Sequence, residues 1–182
     1  DNTWSYKNVE YDFLGRKYRE SEPYNSGNPT LWNTSTFDDY NRIITSVTAT
    51  GLTTNVTYSG LTVTGNDGIK TTSSTKNANG HLVSATDNGG TINYTYYANG
   101  KLKTSDYQGT VISMEYNEWG NKTKLTDPSA GIYTYSYYPM GESFIETTPN
   151  GTTTYTLDNV GKLIAKYIVG SSNSNNSSTI YT

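Results

Sequence analysis

The stretch YTYYANGKL, residues 94–102, places three tyrosines within four positions and then reaches Asn99-Gly100. Asn-Gly is a preferred dipeptide of tight β-hairpin turns, because both residues readily adopt positive φ. Tyr94 and Tyr96 flank a threonine, and alternate residues of a strand point to the same face of a sheet. The stretch therefore predicts a β-strand that ends in a hairpin turn. Its tyrosines form either a ligand platform or a wall needed for folding.

The same pattern recurs along the chain with a period of about 20 residues. Related stretches are YDFLGRK, FDDYNRI, KNANGHL, YNEWGNK, YYPMGES and LDNVGKL, with a weaker copy in VTYSGLT. Each has a turn residue in a corresponding place, and these predicted turn residues are Gly15, Asn41, Gly60, Gly80, Gly100, Gly120, Gly141 and Gly161. Asn41 fits the series because Asn is the non-glycine residue that best tolerates positive φ. Spacings of 26, 19, 20, 20, 20, 21 and 20 residues indicate a true repeat.

A second turn signal lies about halfway between these marks, as in DNGG at 87–90 and DPSAG at 127–131. Each repeat is therefore expected to be one β-hairpin. Apolar and aromatic residues alternate with polar ones before the turn, which predicts one covered face and one wet face. The fold class is all-β, with about eight hairpin repeats in one curved antiparallel sheet of about fourteen to sixteen strands and almost no helix.

In-register stacking of the repeats predicts rows of aromatic side chains across neighbouring strands. We call these rows the aromatic ladder. Its predicted members are Tyr11, Phe37, Tyr94, Tyr96, Tyr116, Tyr135, Tyr137 and Tyr155. Tyr97 is expected to point to the opposite face, in the place that Asp12 and Asp158 occupy in sister repeats.

Composition excludes several classes of function. Hydrophobic residues make up 32% of the chain, so only a thin apolar layer can be buried. A net charge of −3 with no basic stripe argues against nucleic-acid binding. No apolar run approaches the roughly 20 residues of a membrane-spanning helix. Cysteine is absent, which excludes disulfides and thiolate metal sites and fits export.

The stretch VEYDFLGRKY, residues 9–18, resembles the YD-repeat motif of the Rhs family, which also includes wall-associated, toxin-complex and teneurin-like proteins. YTYYANGKL, YSYYPMGES and YTLDNVGKL carry the same aromatic lead and late glycine. The Asp of the motif survives as Asp12, Asp38 and Asp158, and the basic residue as Arg16, Arg42, Lys101 and Lys162. The resemblance implies a long antiparallel sheet that spirals into a hollow shell enclosing a polypeptide, often a toxin. TDPSAG, residues 126–131, is interpreted as an ordinary turn and not as the family's self-cleavage motif.

Candidate chemical sites are few. Lone His81 fills the place of Arg16 and has no second histidine for a metal or a proton relay. Asp38, Asp39 and Asp127 do not concentrate in one loop as calcium ligands would, and are expected to cap turns. We expect no catalytic residue, cofactor or metal, and no enzymatic activity.

The exposed aromatics support an alternative function. Tryptophan and tyrosine can stack on sugars, and glucan-binding wall repeats are also hairpins of similar length with glycine and aromatics. The candidate contacts are Trp32, Trp119 and Tyr97, with Trp4 as a further tryptophan. Tryptophan is scarce, however, and Tyr-x-Tyr dominates, which favours the Rhs resemblance.

The domain prediction is a repeat strip over 1–168 with an insertion at 22–32, a Ser/Asn-rich flexible loop at 169–178, and the start of a further strand at 179–182. Both ends resemble cut points in a longer protein. The expected function is structural: part of a secreted or surface-exposed bacterial shell that encapsulates or displays a cargo polypeptide. Expected partners are neighbouring repeats of the parent chain, an enclosed toxin or other cargo, and secretion machinery. A glycan- or protein-binding adhesin module is the alternative.

Overall fold

The computed structural model describes residues 4–139, 143–172 and 176–181, and every regular element in these ranges is a β-strand. The seventeen strands belong to a single sheet and all recorded pairings are antiparallel. The predicted all-β hairpin fold is confirmed, with slightly more strands than the fourteen to sixteen expected. The predicted turn residue Gly141 lies outside the described residues.

The chain divides into two units, residues 1–91 and 92–182. We call them the N-terminal and C-terminal units. In the N-terminal unit, consecutive strands pair from β1 to β8. These strands are β1 (Val9–Tyr11), β2 (Lys17–Ser21), β3 (Trp32–Phe37), β4 (Ile43–Val47), β5 (Thr53–Ser59), β6 (Thr62–Asn66), β7 (Thr71–Lys76) and β8 (Leu82–Asp87).

The C-terminal unit continues the same pattern, and consecutive strands pair from β9 to β17. Strand β9 begins just before the division between the units. The strands are β9 (Gly90–Tyr96), β10 (Leu102–Tyr107), β11 (Thr110–Tyr116), β12 (Lys122–Asp127), β13 (Gly131–Tyr137), β14 (Ser143–Thr148), β15 (Gly151–Leu157), β16 (Leu163–Gly170) and β17 (Ser177–Ile180).

One turn geometry closes most of the repeats. The paired residues that flank these turns are six positions apart, and the strand register shifts beside each turn. These pairs are Tyr11↔Lys17, Phe37↔Ile43, Lys76↔Leu82, Tyr96↔Leu102, Tyr116↔Lys122, Tyr137↔Ser143 and Leu157↔Leu163. We call these turns the repeat turns. Gly60 lies in a different, shorter turn, because Ser59 pairs with Thr62.

The turns at the other end of the hairpins vary in length. Gln108 and Gly109, with φ of 52° and 87°, close a two-residue turn of the kind that requires positive φ at both central positions. Strand β2 ends at Ser21 and β3 begins at Trp32, so the inserted segment is 22–31. Trp32 belongs to a strand, which corrects the predicted bound of 22–32.

The predicted loop at 169–178 is also shorter than expected. Val169 and Gly170 belong to β16, and Ser177 and Ser178 belong to β17. Residues 173–175 and Thr182 lie outside the described residues. The pairing of β16 with β17 extends the antiparallel order beyond the polar segment, and Ala165 pairs with Ile180.

The sheet has almost no buried core. Within the described ranges, Ser21 (0% exposed) and Ala165 (6%) are the only buried side chains. In β13 the tyrosines are half-buried while Ile132, Thr134 and Ser136 are exposed, which is the expected alternation of a sheet with one covered face. The other described side chains are half-buried or exposed, so each hairpin depends on its neighbours for burial.

Candidate functional site

The repeat turns hold the most regular arrangement of polar side chains in the chain. In each fully described turn, the first loop residue donates its backbone N–H to the carbonyl oxygen of the residue four positions later. Its own carbonyl oxygen accepts the N–H of the residue three positions later. These first loop residues are Asp12, Asp38, Asn77, Tyr97, Asn117 and Asp158. We call this position the cap position. The residue three positions after it takes positive φ: Gly15 (77°), Asn41 (62°), Gly80 (82°), Gly100 (82°), Gly120 (82°) and Gly161 (83°). One local geometry therefore explains why Gly or Asn recurs there.

Asp12 and Asp38 use their side chains to close their own turns. Asp12 Oδ1 accepts hydrogen bonds from the N–H groups of Leu14 and Arg16, both at 2.9 Å. Its Oδ2 accepts a hydrogen bond from Arg16 Nε at 2.7 Å. Burial acts to raise the pKa of Asp12, but hydrogen bonds from the backbone and side chain of Arg16 outweigh it and hold the pKa below its usual value.

Asp38 repeats the arrangement with Arg42 at the same distances. Its pKa is also lowered, since hydrogen bonds from Arg42 overcome the opposing effect of burial. The Asp and Arg of the motif therefore form one hydrogen-bonded cap.

Asn77 and Asn117 accept backbone N–H groups of their own turns, as Asp12 and Asp38 do. Asn77 Oδ1 accepts the N–H of Asn79 at 3.0 Å and of His81 at 2.9 Å. Asn117 Oδ1 accepts the N–H of Asn121 at 2.8 Å. The sequence-based motif named only Asp at the cap position and therefore did not include Asn77 and Asn117. Asn could have been included, because its carbonyl oxygen accepts the same backbone bonds.

The basic residue that follows the turn reaches the next repeat. The Arg16 guanidinium lies 4.7 Å from the centroid of the Phe37 ring, and its Nη1 donates to Asn41 Oδ1 at 3.0 Å. Arg42 lies 4.2 Å from the centroid of Tyr58. Cations over aromatic faces are attracted by the ring quadrupole. These contacts link consecutive hairpins of the N-terminal unit.

Lysines make the corresponding contacts in the C-terminal unit. Lys101 Nζ is 5.2 Å from the Tyr116 ring centroid, and Lys122 Nζ is 5.0 Å from that of Tyr135. The aromatic residues are therefore joined to the next repeat through cations as well as through rings. Sequence periodicity alone did not identify this connection.

Tyr97 lies against the aromatic ladder and not away from it. Its ring contacts Tyr116 edge-on at 5.9 Å, with an interplanar angle of 90°, and its hydroxyl donates to the Met114 carbonyl at 3.0 Å. Tyr138 makes the equivalent bond to the Tyr155 carbonyl at 3.2 Å. The expectation that Tyr97 points to the opposite face is wrong, because a long side chain at the cap position can reach the next hairpin.

The predicted members of the aromatic ladder differ in exposure. Tyr11, on β1, is 62% exposed, while the other predicted members are half-buried: Phe37, Tyr94, Tyr96, Tyr116, Tyr135, Tyr137 and Tyr155. Burial, followed by the charge of Glu146, raises the pKa of Tyr135. Whether the ladder as a whole supplies the cohesion of the sheet stays a prediction.

The candidate ligand contacts are not brought together. Trp32 is half-buried, donates its Nε1–H to the Pro29 carbonyl at 3.2 Å, and carries the Arg19 guanidinium 4.2 Å from its ring centroid. Trp119, at the tip of a repeat turn, is 88% exposed, and Trp4 is 69% exposed. Trp119 therefore keeps an open aromatic surface, whereas part of Trp32 is covered by Arg19.

The remaining polar candidates serve turns. Asp127 Oδ1 accepts the N–H groups of Ser129 at 2.8 Å and Ala130 at 3.2 Å. Half-buried His81 donates its backbone N–H to Asn77. Among the residues that the structure describes, no group of three or more His, Cys, Asp or Glu could hold a metal ion. The same residues contain no helix suited to crossing a bilayer.

Comparison with known proteins identifies a repeat and a fold. Residues 96–132 match the family model of the RHS repeat. No curated protein matches the sequence. Among solved structures, TcdB2-TccC3 matches with a TM-score of 0.75 and 17% identity, over 94% of this chain and 11% of that chain.

A Photorhabdus luminescens Tc holotoxin pore matches with a TM-score of 0.74 and 16% identity, again over 94% of this chain and 11% of that chain. At such identities the likeness concerns the fold. This chain spans about a tenth of the length of those proteins.

Proposed function

We propose that this chain forms part of the wall of a larger shell, because residues 96–132 match the RHS repeat and the fold is similar to that of TcdB2-TccC3. The shell would enclose or display a polypeptide cargo, including a toxin. The wall segment itself is structural and has no catalytic role. Its setting would be secreted or on the surface of a bacterial cell.

The observation that carries this proposal is that side chains at several repeat turns contact the next repeat. Arg16, Lys101 and Lys122 each place a cation over an aromatic ring of a following hairpin. The hydroxyls of Tyr97 and Tyr138 bond to backbone carbonyls 17 positions later. These side chains hold neighbouring hairpins together. Such nearest-neighbour stabilisation is typical of repeat architectures.

The limited burial of side chains also supports a wall. A sheet whose described side chains are nearly all half-buried or exposed gains stability when something covers a face or continues an edge. Neighbouring repeats of the parent chain would pair with β1 and β17, and the cargo would lie inside the shell. The proposed partners are thus parts of the same polypeptide, together with the machinery that exports it.

Limited proteolysis of the parent protein tests encapsulation. The enclosed segment should be cleaved at least tenfold more slowly in the intact protein than as an isolated polypeptide. Gly151→Ala, which forces a Cβ to within 2.2 Å of the Val169 carbonyl oxygen, should open the wall locally and speed cleavage. Glu118→Gln, at an exposed turn position, serves as the control and should leave the protection unchanged. Equal cleavage of the intact and isolated forms contradicts encapsulation.

An extracellular binding module is the second candidate, and exposed Trp119 favours it. A ring that is 88% exposed at a hairpin tip offers a flat surface for stacking on a glycan or on a partner protein. Glycan-array binding that Trp119→Ala abolishes would support this function. Binding that persists in Trp119→Ala would argue against Trp119 as the contact.

A further inference from the structure

The inserted segment 22–31 departs from the repeat. It joins Ser21 of β2 to Trp32 of β3 and is longer than the other turns that the structure describes. Two residues suffice to join equivalent strands elsewhere, as Gln108 and Gly109 do. The sheet therefore does not require this length, and extra loop length on a regular scaffold is where binding sites often lie.

The insertion is held in place by a segment that precedes β1. Tyr6 and Tyr24 form an isolated antiparallel bridge, with N–H···O distances of 2.8 Å and 3.0 Å. The Tyr24 hydroxyl donates to Asn8 Oδ1 at 2.8 Å, which fixes the orientation of that ring. The two rings lie 5.9 Å apart at an interplanar angle of 36°. The aromatic pair is thus ordered without a ligand, which lowers the entropic cost of binding one.

Beside this pair lies a pocket of about 350 Å³, at the small end of the range for ligand sites. Its lining consists of Tyr6, Tyr24, Asn25, Ser26 and Gly27. The side chains of Asn25 and Ser26 are exposed and have no hydrogen-bond partner in the described part of the chain. Gly27, at φ 76°, leaves open space where a Cβ would stand. The pocket therefore combines aromatic surface with amide and hydroxyl groups that are available to a ligand.

We propose that this pocket binds a neutral saccharide. A pyranose ring has an apolar C–H surface suited to a tyrosine ring and a rim of hydroxyls suited to an amide and a serine hydroxyl. The absence of charged side chains from the lining fits an uncharged ligand. Lys7, which follows Tyr6 in the sequence, forms an ion pair with Glu20. This site is separate from Trp119 and does not depend on the shell proposed above.

Saturation-transfer NMR on the full 182-residue chain tests the proposal, with glucose-, galactose- and N-acetylglucosamine-based neutral oligosaccharides as probes. Sialylated oligosaccharides and a tyrosine-rich peptide are included as other classes of ligand. At least one neutral saccharide should bind. Asn25→Ala and Ser26→Ala should each weaken binding at least threefold, and Tyr6→Ala at least tenfold.

Phe13→Ala, which removes an aromatic side chain that is 93% exposed and has no proposed ligand contact, is the matched control and should bind as the wild type does. Asn25→Ala keeps the result interpretable if Tyr6→Ala unfolds the segment, because the Asn25 side chain makes no contact that the fold needs. The proposal is overturned if no neutral saccharide binds, if only the sialylated or peptide probes bind, or if Asn25→Ala and Tyr6→Ala leave binding unchanged. Binding lost in Trp119→Ala alone would place the glycan site at that turn instead.

Discussion

At the residue scale, different side chains occupy the cap position and close the same repeat turn. The Asp12 carboxylate accepts two backbone N–H groups and pairs with Arg16. The Asn77 side chain is uncharged and also accepts two backbone N–H groups. Tyr97 closes its turn through backbone hydrogen bonds alone, and its hydroxyl donates to the Met114 carbonyl. The motif thus tolerates substitution because the backbone bonds of the turn are common to all. What changes from repeat to repeat is the contact to the next hairpin.

Asn77→Ala removes the acceptor of two backbone N–H groups in a turn that has no Asp–Arg pair. We expect a loss of about 1–2 kcal/mol in the free energy of unfolding, since each hydrogen bond contributes roughly 0.5–1.5 kcal/mol. Asn77→Asp should retain most of the stability. Asn79→Ala in the same turn is the control, because the Asn79 side chain accepts none of these bonds. Urea denaturation measures the difference, and equal losses in Asn77→Ala and Asn79→Ala would contradict the role of the cap.

Acid should weaken the N-terminal unit through its paired carboxylates. Hydrogen bonds from Lys17 and then Lys7 lower the pKa of Glu20 to about 2, against an ordinary value of 4.5. A group with a lowered folded-state pKa stabilises the fold above its unfolded pKa, and that stabilisation is lost as the pH falls through the folded value. The melting temperature should therefore fall between about pH 4.5 and pH 2.

Glu20→Gln isolates this contribution. The variant should melt at a lower temperature than the wild type at pH 7, and the difference should shrink as the pH approaches 2, because the wild-type carboxylate is then protonated. Glu118→Gln, which removes an exposed carboxylate in a turn, is the control. A constant difference between Glu20→Gln and wild type from pH 7 to pH 2 would show that the Lys7 and Lys17 pairs do not stabilise the fold.

At the element scale, glycine has two distinct roles in these hairpins. At Gly109 the φ of 87° is needed, but a Cβ would meet nothing within 4 Å. At Gly151 the φ is 141° and a Cβ would lie 2.2 Å from the Val169 carbonyl oxygen and 2.7 Å from the Gly170 Cα. Gly151 pairs with Gly170, so the strands β15 and β16 approach closely at this point. Gly109 is a conformational requirement, whereas Gly151 is also a requirement for space.

Gly151→Ala should therefore destabilise more than Gly109→Ala. Both variants acquire the strain of a side chain at positive φ, about 1–2 kcal/mol. The contact with the backbone of β16 adds a further 1–3 kcal/mol or so in Gly151→Ala, which is the usual range for overpacking. Thermal denaturation of the two variants gives the comparison directly. Similar melting temperatures would mean that β16 can move away at little cost.

At the scale of the whole molecule, the chain is a series of hairpins stabilised by nearest neighbours. The contacts that cross between repeats run from one turn to the next, as from Arg16 to Phe37 and from Lys101 to Tyr116. Such an architecture has a stability that is approximately a sum over repeats and their interfaces. Removal of one whole repeat should therefore leave the rest of the sheet able to form.

Deletion of residues 101–120 tests this property, because it joins Gly100 to Asn121 and keeps one repeat turn in phase. Tyr96 would then pair with Lys122 in place of Leu102, and the antiparallel order would be preserved. We expect circular dichroism typical of β structure and cooperative unfolding at a reduced free energy. Deletion of residues 101–110 is the control: it removes one strand, so that repeat turns and short turns exchange ends in every later hairpin, and it should lower the free energy of unfolding more than deletion of a whole repeat. Equal behaviour of the two deletions would contradict a modular sheet.

The sequence by itself determined the hairpin repeat, its phase and most of the repeat turns, but not that Gly60 lies in a shorter turn. Those features are local: positive φ selects Gly or Asn, as at Asn41, and alternation along a strand follows from the period of two. Asn77 as a cap was also within reach of local reasoning, since Asn accepts the same backbone bonds as Asp.

Only the tertiary structure decided which side chains meet across repeats. Tyr97 reaches Met114 and Tyr116, and part of the Trp32 ring is covered by Arg19, because neighbouring hairpins lie side by side in the sheet. The pocket at Tyr6 and Tyr24 arises in the same way, from a bridge between residues 18 positions apart that no local period specifies. The direction of a long side chain depends on the space that neighbouring hairpins leave, and that space exists only once the sheet is assembled.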